Sequence, residues 1–197
     1  MPDSVLCVQC ADRVVVPAVL YKTIASYVVP IHAVSIYQPP IQSLVWAKER
    51  KQIHAARQLG MLLAHYSRKR ELVFDCIIPV PLHWTRRCAR GYNQAWVMGK
   101  TLQAQYPQAI VLQPFRRCRA TQFQRLLDAT ARQENVKNSF VRSYWWSEQA
   151  CVQALAGKKI VLIDDVYTTG ATIEVLINAV AQYKPHSIMV LTGCRVA

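Results

Sequence analysis

The run Ile160-Val-Leu-Ile-Asp-Asp-Val-Tyr-Thr-Thr-Gly-Ala-Thr172 constrains the fold more than any other stretch of this chain. Ile160 to Ile163 form an apolar, β-branched segment suited to a strand covered on both faces of a parallel sheet. Asp164 and Asp165 follow at its expected carboxyl end, the edge at which open α/β sheets bind ligands. Thr168, Thr169, Gly170, Ala171 and Thr172 are small or hydroxylated, so their backbone can approach a ligand closely, and the periodic segment Ile173 to Val180 predicts a helix. The free amides and dipole of a helix start attract an anion such as phosphate. Two adjacent acids are costly at a strand end without a partner, and they suit the vicinal hydroxyls of a ribose. The stretch therefore reads as a grip for a ribose 5-phosphate. The competing reading is a Thr/Gly-rich helix cap after an ordinary buried strand.

The same order of strand, loop and helix recurs upstream. Leu72 to Val80 is a strand, Pro81 to Gln94 a loop, and Asn93 or Gln94 opens a helix that runs to about Tyr106. Two strand-end loops of one parallel sheet can converge on one ligand. Arg86, Arg87 and Arg90 lie on this second loop, where they could meet further negative charge on the same ligand; a basic turn before a helix is the plainer alternative. Ala109 to Leu112 is a short third strand. The polar, Arg- and Gln-rich stretch from Phe115 to Gln149 has the length and charge of a lid, with a short helix within Leu126 to Asn135 and a strand or edge at Phe140 to Trp146. Gly157 to Lys159 turns into the strand at Ile160, and Ile188 to Leu191 is the last strand. The sum is an α/β fold with a doubly wound, mostly parallel sheet.

A chain of 197 residues suits one such domain plus an appendage. Residues 1–38 are expected to form that small amino-terminal appendage, made of loops and a strand at Ala33 to Tyr37, and residues 39–197 the main domain. From Ile41 to about Tyr66 the periodicity predicts two helices, or one bent helix, joined by the basic link Lys48 to Gln52. Cys7 and Cys10 have the spacing of half a zinc site. A tetrahedral site needs four ligands, which leaves either completion by His32 or another chain, or two packed thiols. Seven cysteines without framework spacing, and no signal-peptide pattern, predict reduced thiols and a cytoplasmic protein. No uninterrupted apolar run reaches the ~18 residues that span a bilayer, so a role at the inner membrane would be peripheral.

Two resemblances sharpen these readings. Every position from Ile160 to Thr172 fits the phosphoribosyl pyrophosphate signature of type I phosphoribosyltransferases. More narrowly, Pro79-Val-Pro-Leu-His83, Arg86, and Arg90-Gly-Tyr-Asn-Gln94 resemble the hallmark of the ComF family of competence-associated, phosphoribosyltransferase-like proteins. So does the series Arg119-Ala-Thr-Gln122, Gln124, Leu127, Arg132, Asn135-Val136 and Phe140. The resemblance implies a type I phosphoribosyltransferase-like fold. Asp164 and Asp165 would be the catalytic pair on the ribose hydroxyls, holding Mg2+ through the ligand. Tyr167, Thr168, Thr169, Gly170, Ala171 and Thr172 would take the 5-phosphate, and Pro81, Leu82, Arg86, Arg87 and Arg90 the pyrophosphate. There are two departures. The family usually opens with a four-cysteine Zn2+ finger, of which only Cys7 and Cys10 stand here, and Cys88 and Trp84 replace a usual basic residue and a common Pro.

Resemblance also implies the biology: assistance to DNA uptake in natural transformation, with single-stranded DNA and competence helicase-like or recombination proteins as partners. A net charge of +13 fits a polyanionic ligand. Trp46 beside Lys48, Trp84 beside Arg86, and Tyr144-Trp145-Trp146 after Arg142 would be stacking platforms for bases, or else ordinary packing. A nucleobase salvage enzyme and a non-catalytic DNA adaptor are the two rival readings.

Overall fold

The computed structural model describes residues 5–47, 52–118 and 139–196. The elements, in chain order, are helix α1 (Val8–Ala11), strands β1 (Leu20–Ile24) and β2 (Tyr27–Ile36), then helices α2 (Ile41–Ala47) and α3 (Ile53–Lys69). Strand β3 (Cys76–Pro79) follows, then helices α4 (Trp84–Arg90) and α5 (Gln94–Gln105) and strand β4 (Ile110–Val111). Strands β5 (Phe115–Arg117) and β6 (Phe140–Arg142) precede α6 (Glu148–Leu155), β7 (Lys159–Tyr167), α7 (Ala171–Ala181) and β8 (Ser187–Arg195).

Six strands form one sheet in the order β1-β2-β8-β7-β3-β4, parallel throughout except for the antiparallel β1–β2 hairpin at its edge. Side chains alternate across a strand. Ile160 and Leu162 therefore enter one core, beneath α6 and α7, while Val161 and Ile163 enter the other, beneath α2, α3 and α5. All four are fully buried, which is why the run carries no polar residue. On α3 the buried positions Ala55, Leu59, Leu63 and Ser67, with Ala56, Gly60 and Ala64, make one stripe at helical spacing. Gly60 lets α5 come close: a Cβ there would lie 2.6 Å from the Cβ of Thr101. With helices on both faces, the sheet is doubly wound as expected.

From β3 the chain moves outward to β4, and from β7 it moves the other way to β8. The winding therefore reverses between β3 and β7, and their carboxyl ends flank a topological switch point, the place where open α/β sheets bind ligands.

Three expectations meet differences. Residues 1–38 supply β1 and β2, and β2 lies inside the sheet against β8, so residues 20–36 share the sheet of the rest of the chain. Strand β7 runs on to Tyr167 instead of ending at Ile163. The segment after β3, expected as a loop, contains the seven-residue helix α4. The long polar stretch folds back on itself at its ends, where Phe115, Arg116 and Arg117 pair with Arg142, Val141 and Phe140. Lys48, Arg50, Lys51, the short helix expected within Leu126 to Asn135, and the motif residues Arg119 to Val136 lie outside the described residues.

Candidate functional site

At the switch point β7 outruns β3. Their register ends at Pro79 opposite Ile163, while β7 continues beside β8 with Asp164 opposite Thr192 and Val166 opposite Cys194. Asp164 and Asp165 thus lie in a notch with a strand on one side only, and both stay half-exposed. Each carboxylate accepts from the next backbone amide: Asp165 N donates to Asp164 Oδ1 at 2.9 Å, and Val166 N to Asp165 Oδ1 at 3.0 Å. Behind them Gly193 admits the Asp165 carbonyl, since a Cβ there would lie 2.9 Å from that oxygen.

After Tyr167 the chain turns through Thr168, Thr169 and Gly170 into α7. Gly170 is the N-cap, at φ 82° in the left-handed region. Its own Cβ would collide with the Tyr167 ring, which is buried directly beneath. Thr168, Thr169 and Ala171 are exposed around the helix start, where Glu174 N makes the first helical bond to Gly170 O at 2.8 Å. Glu174 is held by Lys22 of β1 at 2.7 Å, with Lys22 Nζ 5.9 Å above the Tyr167 ring centroid. The hydrogen bond to Glu174 raises the Lys22 pKa, so the hairpin is tied to this loop by a charged lysine. Tyr167, expected at the phosphate, is thus a support under the loop.

The opposite wall is built from the segment after β3. His83 caps α4, its Nδ1 accepting from Thr85 N at 3.4 Å, and Gly91 ends the helix at φ 84°. Asn93 then caps α5, accepting from Ala95 N at 3.1 Å and donating Nδ2 to Val80 O at 3.1 Å, which fastens the segment to the end of β3. On α4, Arg86 and Arg90 are four residues apart and share a face, whereas Arg87 turns away. Arg90 donates to Gln94 Oε1 at 3.2 Å.

Electrostatics show the walls meeting. Burial pushes the Arg117 guanidinium downward, Arg86 pushes the same way, and Asp164 opposes both. Arg117 therefore feels the charges of both Arg86 and Asp164, and as a guanidinium it stays charged. Burial raises the Tyr92 phenol, with Arg90 lowering it and Asp165 raising it. The two acids of β7 and the arginines of α4 thus border one crevice. Arg117 was not singled out by the sequence reading: its only signal was the basic content of the polar stretch, and the pairing of β5 with β6 is what carries it to the site.

Beside the crevice lies a cleft of about 650 Å³, lined by Pro81, Leu82, Trp84, Arg87, Asn93, Gln113, Phe115 to Cys118 and Ser143 to Trp146. Two of the three expected aromatic platforms meet there. The third does not: Trp46 donates Nε1 to Tyr37 OH at 2.7 Å on α2.

None of the seven cysteines is in a disulfide. Cys7 and Cys10 interact: the Cys10 amide and then its thiol lower the Cys7 pKa, while Cys7 raises that of Cys10. Among the described residues no third His, Cys, Asp or Glu joins them. His32 faces Tyr66 instead, with Nδ1 3.3 Å from its hydroxyl. Two thiols do not make the four-ligand set that a structural Zn2+ needs. No described helix is long and apolar enough to cross a membrane.

No family model matches the chain. Among solved structures, the allosteric regulatory enzyme of purine biosynthesis shows a TM-score of 0.42 at 14% identity. The match covers 70% of this chain and 25% of that one, a likeness too slight to bear on function. Sequence relatives are nearer. The DNA utilization protein YhgH of Shigella flexneri is 30% identical over 172 residues, covering 82% of this chain and 70% of that protein. Its namesake in Salmonella typhimurium is 32% identical over 170 residues, covering 83% and 70%. Competence protein F of Haemophilus influenzae is 32% identical over 120 residues, covering 60% and 50%. Identity at this level along more than two thirds of a relative, on a chain that carries the motifs described above, shows that the protein belongs to the ComF family, with competence protein F and DNA utilization protein YhgH.

Proposed function

We propose that this protein binds phosphoribosyl pyrophosphate in the crevice between β3 and β7 and assists the handling of single-stranded DNA during DNA uptake. One observation carries the binding reading: a carboxylate pair and a small-residue helix start follow β7 on one side of a topological switch point, and an arginine-bearing helix follows β3 on the other. Asp164 and Asp165 accept the hydrogens of the two ribose hydroxyls. The amides and hydroxyls from Thr168 to Thr172 take the 5-phosphate, drawn by the α7 dipole. Pro81 and Leu82 bring backbone to the far end of the ligand, where Arg86 and Arg90 neutralise the pyrophosphate, while Arg87, expected there too, lines the neighbouring cleft.

The donor set fits Mg2+ held mainly by the ligand. Two carboxylates are present, and among the described residues no group of three or more His, Cys, Asp or Glu forms a protein cage. Mg2+ commonly rests on one or two carboxylates plus phosphate oxygens. When bound it would offset charge on the pyrophosphate oxygens. The DNA role is supported by the names of the relatives, competence protein F and DNA utilization protein YhgH, and by the net charge of +13.

Calorimetric titration with phosphoribosyl pyrophosphate and Mg2+ tests the binding. We expect saturable binding that weakens about ten-fold or more in the Asp164→Asn, Asp165→Asn double variant, as losing hydrogen bonds to charged groups implies. Unchanged affinity in a folded double variant would refute the reading. Adding a panel of nucleobases separates the salvage alternative, which requires base-dependent release of pyrophosphate.

A further inference from the structure

The cleft beside the crevice is built unlike a core or an ordinary surface. Ser143 to Trp146 form a tight turn, closed by Trp146 N donating to Ser143 O at 3.0 Å, which places Tyr144 and Trp145 at its two corners. Turn corners favour Gly, Pro, Asn and Asp, for reasons of backbone conformation and local hydrogen bonding. Here they carry two large aromatics, 82% and 92% exposed, and Trp84 opens α4 across the cleft at 65%. Aromatic rings left largely in water beside a cavity large enough for a nucleotide offer surface that a flat ligand would cover.

Among the described residues, the charged side chains that line the cleft with these rings are all arginines. Arg116 lies with its guanidinium carbon 4.0 Å from the Tyr144 ring centroid, and its buried Nε has no hydrogen-bond acceptor among the described residues. Arg87 and Arg117 line the same walls, and among the described residues no acid does. Aromatic faces interleaved with arginines match unpaired bases joined by phosphates. A duplex hides its base faces, and an acidic peptide offers no flat rings to stack.

We infer that this cleft holds unpaired nucleobases of a single strand, with Tyr144, Trp145 and Trp84 as stacking faces and Arg87 and Arg116 on the backbone phosphates. The inference gives a location to the proposed DNA handling and rests on that reading for the kind of strand. It is independent of phosphoribosyl pyrophosphate binding, because Tyr144 and Trp145 belong to neither wall of the crevice. Pro81 and Leu82, at the end of β3, border both, so the strand passes the mouth of the ribose-phosphate grip.

The test uses the full chain and a short oligothymidylate. Binding should quench tryptophan fluorescence. Tyr144→Ala and Trp145→Ala should each weaken oligonucleotide binding about ten-fold, a typical loss for one stacked base. Both side chains project into solvent, so the variants should melt like the parent and keep their affinity for phosphoribosyl pyrophosphate. That retained affinity separates a failure here from a failure of the crevice assignment. Three results would overturn the inference: unchanged oligonucleotide affinity in the double variant, quenching by free thymidine monophosphate but not by the strand, or equal affinity for duplex and single strand.

Discussion

At the scale of single residues, Gly170 and His32 show how the two halves of this chain are constrained. Gly170 holds the turn before α7 because its φ of 82° is strained for any side chain and because the Tyr167 ring fills the space a Cβ would occupy. A loop residue is thus fixed by the last residue of the strand before it. His32 sits on the core side of β2, 7% exposed, edge-on to Tyr66 at 5.9 Å between ring centroids. Burial lowers its pKa from 6.5, and Arg70 adds to the effect. In the pH interval below 6.5 the unfolded chain therefore takes up a proton that the folded chain refuses. Stability from this group is complete above that interval and is lost as pH falls through it. Urea denaturation from pH 7.5 downward should show stability declining below about pH 6.5. His32→Gln, which cannot titrate, should flatten that part of the profile.

At the scale of elements, α4 makes the separable test. Arg86 acts electrostatically on Arg117, which also feels Asp164, while Arg87, about 100° further round the helix, lines the aromatic cleft. Arg86→Ala should weaken phosphoribosyl pyrophosphate about ten-fold and spare oligonucleotide binding; Arg87→Ala should affect the oligonucleotide more. Parallel titrations of both ligands check this, and identical profiles for the two variants would contradict the assignment of faces. The same elements show what could be read in advance. The strand-loop-helix units at β3 and β7 were legible because buried parallel strands are apolar without interruption and their helices are periodic. Strand β1 was not. Its turn places Ala25 and Ser26 at φ 49° and 69°, a two-residue reversal usually marked by Asn or Gly, and Pro30 interrupts β2. Pro30 is tolerated because the register of β2 with β8 begins one residue later, at Ile31. Arg117 was hidden for another reason. Its place depends on β5 meeting β6 across more than twenty intervening residues, and no local pattern encodes a pairing of that range.

For the whole molecule, the net charge of +13 and the aromatic cleft make different contributions to one binding event, and salt separates them. Each phosphate neutralised by a Lys or Arg releases condensed counterions, so the logarithm of affinity falls with the logarithm of salt by about 0.7 per contact on a single strand. Stacking on an aromatic face releases no counterions. Removing Arg87 and Arg116 together should therefore reduce the magnitude of the slope for oligothymidylate by about 1.4, that is, about 0.7 for each of the two arginines. Tyr144→Ala should lower the whole line while leaving its slope unchanged. If the charge acts only as a diffuse field, the two arginines should matter no more than any other pair on the surface, and replacing two exposed lysines such as Lys69 and Lys100, both remote from the cleft, should change the slope equally. A larger change at the cleft pair would mean that a strand lies along it with phosphates in contact, in a register that sets its bases against Tyr144 and Trp145. The proximity of Arg117 to both ligands then carries a thermodynamic consequence. If phosphoribosyl pyrophosphate binds at Asp164 and Asp165 and a strand at the cleft, the two share the arginines between them, so any effect of one ligand on the affinity of the other must be matched reciprocally. Titrating each ligand in the presence of the other should give coupling factors of equal size, and competition for the shared positive charge predicts mutual weakening.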